Sequence, residues 1–351
     1  MRHIIKLCFF VVLTIIVPKA YSVAGNYYYY YSEGLRFWNN GFYGKAASQF
    51  RAAMICDDAK PAGQTMYKLS LYCDTHIVAA DSLFKKRNFG DAYVHYDIVA
   101  QNNPSDLRCR EQMGSCLKKQ RNVYDGMVLV SGGSFSMGRK DGPLNERPQR
   151  VVRITSFYMD KYEVTNEEYA RFINIKGLEA LKGGFRINLD NPDCKLDTVN
   201  GYCIVKPGYE KYPVVAVSWE GTQDYAVWVG KSLPTEAQFE YAFADSKATA
   251  VDNILHPVGF GQPNQFGVYN LCGNVAEWCQ EWYHDNAYTM TYGSKTNPTV
   301  NQISEYRSVR GASFDDLADN NINPKTFRDF NVPAGFHSNI GFRCVCNEVM
   351  E

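Results

Sequence analysis

The sequence lacks a charge excess: 37 lysines and arginines balance 37 aspartates and glutamates. Without a basic stripe there is nothing to neutralise a phosphate backbone or an anionic lipid surface, so no nucleic-acid partner is expected. Long apolar runs are missing too. The only candidate, Ile4 to Val17, falls short of the about 20 residues that a bilayer span requires. The histidines, His3, His76, His95, His256, His284 and His337, are scattered, with no two at metal-ligand spacing, and no zinc pattern is present. There is no glycine-rich phosphate loop and no serine nucleophile elbow.

What is there begins with a leader. Arg2 and Lys6 frame the start of the apolar run, and Pro18 and the small-residue pattern Ala20-Tyr21-Ser22 come after it. That is the layout of a secretory signal peptide, residues 1–22. Its removal takes away Arg2, Lys6 and Lys19 and no acidic residue, leaving a slightly acidic mature chain with no transmembrane segment. The expected location is exported, in the periplasm or at the cell surface. Of 11 cysteines only Cys8 lies in the leader, and the others suit an oxidising compartment. Cys194 and Cys203 flank a short loop, and a disulfide closing it contributes about 2–3 kcal/mol, so this pair is the disulfide candidate. The pairing of the other cysteines stays open.

Residues 23–122 read as helices with a repeat. Gly34, Tyr43, Ala46, Phe50 and Ala53 sit at the same offsets as Ala80, Phe89, Ala92, Tyr96 and Val99. Small residues let antiparallel helices approach, and aromatic rings fill the groove between them. These offsets resemble the tetratricopeptide repeat, whose period is 34 residues. The Gly34-to-Ala80 spacing is longer than that, which predicts an insertion around Asp57 to Thr65. Asp106 to Gln120 reads as a capping helix. Such repeats imply a protein partner on their concave surface.

From residue 123 to 351 the texture becomes glycine-rich and aromatic, with short apolar segments. Met127–Val130 and Phe135–Gly138 read as strand, turn and strand. Thr165 with Glu168 is a capping-box signature. Ser218 and the Pro234-Thr235 pair open two further short helices.

Seven segments in this region resemble, in order, those of the formylglycine-generating enzyme, or sulfatase-modifying factor, family. They are Met127–Gly138, Asp160–Tyr169, Tyr212–Trp219, Leu233–Tyr241, Phe266–Trp278, Arg310–Phe314 and Gly341–Cys344. The resemblance implies an α+β fold: all-α repeats followed by a C-type-lectin-like domain with little regular secondary structure. It also implies structural calcium, Ca2+, held by the side chains of Asn270 and Glu277 and the carbonyls of Gly273 and Val275, hard oxygen donors of the kind this ion prefers.

The enzyme's oxidation chemistry, as the resemblance implies it, uses two cysteines gathering copper(I), a soft metal that needs thiolates. Here those positions are Asp316 and Asn321. Copper is therefore not expected, and no catalytic residue is assigned. Ser313, Asp315, Asp316 and Arg328 are the pocket candidates, with Asp319 adding to an acidic mouth; Arg328 reads equally as a buried ion-pair partner. The scattered histidines also argue against the three-histidine iron site of related sulfoxide synthases. The reading that results is an exported, non-catalytic family member acting as an interaction scaffold or ligand-binding component of the bacterial envelope. An active family oxidoreductase and a lectin-fold ligand-display receptor are the alternatives.

Overall fold

The computed structural model describes residues 26–120, 124–177, 186–247, 253–316 and 322–347. The leader 1–22, Asn321 and Asp319 lie outside them. By its contacts the chain divides at Asp81 and Ser82 into two compact units.

The first unit holds α1 (Tyr27–Asn39), α2 (Tyr43–Met54) and most of α3 (Pro61–Lys85). Asn26 caps α1 by accepting from the Tyr28 amide. Helices α1 and α2 pack closely because Gly34 has no side chain: a Cβ there would stand 2.6 Å from the Phe50 ring. Tyr43, Ala46, Phe50 and Ala53 are all buried, as their repeat positions require. Helix α3 runs 25 residues against 13 in α1. Those twelve extra residues equal the excess of the Gly34-to-Ala80 spacing over the repeat period; of the expected insertion, residues 57–60 are turn and loop and residues 61–65 are helix.

The second unit begins with α4 (Phe89–Asn102) and α5 (Leu107–Gln120), an antiparallel pair in which Ala92, Tyr96 and Val99 are buried. Asp106 caps α5 through the Cys109 amide. Both helices are fastened to the remainder of this unit. Asp97 accepts from the Tyr202 hydroxyl, Arg171 lies over the Tyr93 ring, and Gly114 lets α5 approach Ile175.

The rest is short strands and short helices. Strands β1 (Met127–Val130), β4 (Phe157–Asp160) and β11 (Val345–Cys346) form one sheet in the order β1-β4-β11. A second sheet has the order β10-β7-β8-β9, with β7 Ala276–Trp282, β8 Arg307–Arg310, β9 Arg328–Asn331 and β10 Ile340–Gly341. Two hairpins complete it: β2 (Gly133–Met137) with β3 (Arg150–Ile154), and β5 (Leu196–Val199) with β6 (Tyr202–Val205). Three helices obey their sequence signals. Thr165 and Glu168 form a full capping box at α6 (Asn166–Lys176), Ser218 caps α7 (Trp219–Trp228), and Thr235 with Gln238 boxes α8 (Glu236–Phe243). Two apolar clusters hold the unit, one around Trp278, Phe172, Tyr225 and Phe342, the other around Phe157, Phe239, Cys279 and Tyr288. A buried aromatic side chain of this kind contributes about 1.5–3 kcal/mol, which is how a domain with so few long elements stays closed.

The expected Cys194–Cys203 bridge is not formed; both are buried free thiols. The β5–β6 register pairs Cys203 with Thr198 rather than with Cys194, which precedes β5. The hairpin ladder closes the loop in its place, continued by the Lys206 amide donating to the Lys195 carbonyl.

Candidate functional site

Strand β8 runs into Gly311, which adopts φ +77, a conformation disfavoured for side-chain-bearing residues. A Cβ there would also stand 3.0 Å from the Leu271 carbonyl oxygen. This close approach joins two separate motifs. The Gly273 amide donates to Ala312 O at 2.6 Å and the Phe314 amide to Asn274 O at 2.9 Å, so the Asn270–Trp278 and Arg310–Phe314 segments form one substructure.

Ser313 is completely buried there. Its amide and its hydroxyl both donate to Asp316 Oδ2, at 2.8 and 2.6 Å, and Asn339 Nδ2 donates to the same hydroxyl at 3.3 Å. Asp316 therefore caps the turn that leads out of β8. Asp315 is exposed; partial desolvation of its carboxyl and the charges of Asp316 and Asp193 raise its affinity for a proton. Asp329 is raised by burial and by Asp316, and His337 is lowered by burial against the pull of Asp329. The structure thus brings Ser313, Asp315 and Asp316 together and adds Asp193, Asp329, His337 and Asn339. No spacing pattern in the sequence pointed to these four, since they arrive from three other segments.

Arg328 does not belong to this group. Its guanidinium is buried and donates to both oxygens of Glu236, at 2.6 and 2.9 Å, and to the carbonyls of Asn145 and His284. Tyr283 and Tyr288 cover it at 4.7 and 5.0 Å. Burial opposes its charge, and Glu236 more than restores it. Arg310 completes the network by donating to Glu236 at 3.2 Å and Glu240 at 2.8 Å. As a pocket residue Arg328 is corrected to the ion-pair role.

The side chains that the resemblance assigns to calcium already have partners within the protein. Glu277, the one anionic member of the set, is fully buried and accepts from Arg343 Nε at 2.8 and 3.0 Å and from Nη2 at 2.7 Å. Asn270 Oδ1 accepts from the Gly259 amide at 2.9 Å. The Glu277 carboxylate thus already faces a fixed positive charge, the Arg343 guanidinium. Arg343 also faces Glu163 at 3.8 Å. Burial pushes the Glu163 carboxyl up to about 7, only partly offset by Arg343.

A seven-motif domain on this frame, with its turn capped by an aspartate, defines a sulfatase-modifying-factor fold. Residues 113–348 match the sulfatase-modifying factor enzyme 1-like domain, and the chain belongs to this family. It is 33% identical over 244 residues to the serine/threonine-protein kinase pkn1 of Chlamydia pneumoniae, covering 65% of this chain and 39% of that protein. It is 30% identical over 284 residues to the formylglycine-generating enzyme of Streptomyces coelicolor, covering 62% of this chain and 88% of that enzyme. Among solved structures, PvdO from Pseudomonas aeruginosa aligns with TM-score 0.48 and 23% identity over 63% of this chain and 93% of PvdO. The chain spans about two fifths of the length of the chlamydial relatives it matches.

Proposed function

We propose that this protein is a non-catalytic member of its family, exported to the periplasm or cell surface, where its helical repeats engage a protein partner. The observation that carries the non-catalytic half is the Ser313–Asp316 pairing. Asp316 stands at one of the two positions where the formylglycine-generating enzymes carry cysteine, and its carboxylate is committed to the Ser313 amide and hydroxyl. A hard oxygen donor is a poor ligand for copper(I), and Asn321, at the second position, is not a thiol either. The activities named for the formylglycine-generating enzymes and the chlamydial kinases stay with those proteins. The test is mass spectrometry of a sulfatase-type cysteine peptide incubated with the full chain, copper and oxygen. No aldehyde mass is expected; its appearance, absent from a heat-killed control, overturns the reading in favour of an active oxidase.

A further inference from the structure

The geometry points to an anion-binding site, suited to a phosphate monoester, in the loop that joins β2 to β3. A cavity of about 570 Å³ there is lined by Lys140, Leu144, Arg147, Pro148, Gln149 and Thr289. Two of these side chains are cationic and none is acidic.

The loop is a built structure. The Arg139 amide donates to Glu146 O at 3.0 Å, and the Arg147 amide to Leu144 O at 3.2 Å across the short 3-10 turn Leu144–Glu146. Gln149 Nε2 reaches back to Gly138 O at 3.3 Å. These bonds close the segment on itself and bring Lys140 and Arg147 to one cavity. Of the other charges, Asp141 is exposed beside Lys140 and makes no ion pair among the described residues, while Arg139, Glu146 and the neighbouring Arg150 are already committed. Arg139 pairs with Glu146 at 2.7 Å, and Glu146 also accepts from the Thr326 hydroxyl. Arg150 is buried and donates to the Tyr288 carbonyl and the Thr291 hydroxyl. Among the described residues Arg147 has no carboxylate partner, and its Nε is shielded from water without any acceptor. Lys140 likewise makes no ion pair among the described residues.

That enclosed Nε is as closed to a ligand as it is to water, but Arg147 lines the cavity and is only half-buried, so an oxyanion held there gains the charge of the rest of its guanidinium. Arginine offers phosphate oxygens a planar fork, and lysine adds a mobile point charge. Leu144, 76% exposed, stands at the cavity as an apolar contact for the group carrying the phosphate. The shared chemistry fits both free inorganic phosphate and a phosphoryl group on a larger molecule.

The experiment is calorimetric titration of the full chain at low ionic strength with inorganic phosphate and, separately, with O-phosphoserine. Saturable binding is expected, weakened by added salt and weakened by about tenfold to a hundredfold in Arg147→Ala or Lys140→Ala, the range for one charge-assisted hydrogen bond. Arg147→Lys should retain part of the affinity. Tighter binding of phosphoserine, reduced by Leu144→Ala, assigns the site to a phosphoryl carrier, and equal binding assigns it to the free ion. A readout on the unmutated protein guards against misfolded variants: phosphate should protect Arg147 from phenylglyoxal, as seen by peptide mass. No saturable binding, binding unchanged in both alanine variants, or no protection of Arg147 overturns the proposal.

Discussion

Arg343 donates to both carboxylate oxygens of Glu277 in a pocket where neither residue touches solvent. Truncating one partner of such a pair strands the other charge, at a cost of about 3–5 kcal/mol. Glu277→Ala should therefore lower the melting temperature sharply, by the same amount with calcium and with chelator. The unmutated protein should melt identically in both. A melting point that falls on chelation would restore calcium to this site.

Two buried carboxyls set the pH response between mild acid and mild base. Burial pushes Glu163 up to about 7 and, reinforced by the charge of Glu236, pushes Glu281 up to about 8. Both folded values lie above the unfolded one, so the unfolded chain gives up these protons first as pH rises. Their contribution is complete below the ordinary glutamate range and is lost as pH rises through 7 and 8. Thermal melts should show higher stability at pH 6 than near pH 8.5, and Glu281→Gln should flatten that slope. A stability that climbs across this window would contradict the assignment.

Replacing Asp316 should weaken the fold before it changes any chemistry. Its carboxylate accepts both the amide and the hydroxyl of Ser313, and a hydrogen bond to a charged group contributes about 1.5–3 kcal/mol. Asp316→Cys should lower the urea midpoint without conferring copper(I) binding, which needs Asn321→Cys as well. Tight copper uptake by the single variant would show that the site needs only one thiolate.

Leu71, Tyr72 and Val78 lie exposed on α3, within the first unit. If the helical repeats carry the partner, Leu71→Asp with Val78→Asp should abolish capture from an envelope extract while leaving the melting curve within about 0.5 kcal/mol of the unmutated protein, as for surface changes generally. Undiminished capture would move the partner surface to the second unit.

The cysteines give a count. Every described cysteine is buried, and burial pushes Cys203 and Cys272 up to about 12. Native protein should resist maleimide at Cys194 and Cys203, whereas unfolded protein should label at both. Two fewer labels after denaturation, with Cys194 and Cys203 unlabelled, would show that the bridge forms in solution.

How much of this was legible varied with the range of the interaction. The caps at Thr165, Ser218 and Thr235 are local, within three residues, and each was readable from side-chain type alone. The repeat positions were readable because a small residue against an aromatic ring is a one-dimensional pattern, as at Gly34 and Phe50. Arg328 remained ambiguous because its partner, Glu236, lies 92 residues away. The Glu277 partner was hidden for the same reason: donor types at a given spacing within one loop say nothing about Arg343, which arrives from the end of the chain. Asp193, Asp329 and His337 went unnoticed because only folding brings them beside Asp316.

The Tyr202–Asp97 bond places α4 and α5 with the family domain. The change of sequence texture near residue 122 is therefore a poor place to cut. A fragment starting at 123 would leave the Tyr202 hydroxyl without its acceptor and uncover the face of α6 on which α5 rests, inviting aggregation. Any recombination that moves this domain intact must carry two helices that resemble the repeats before them.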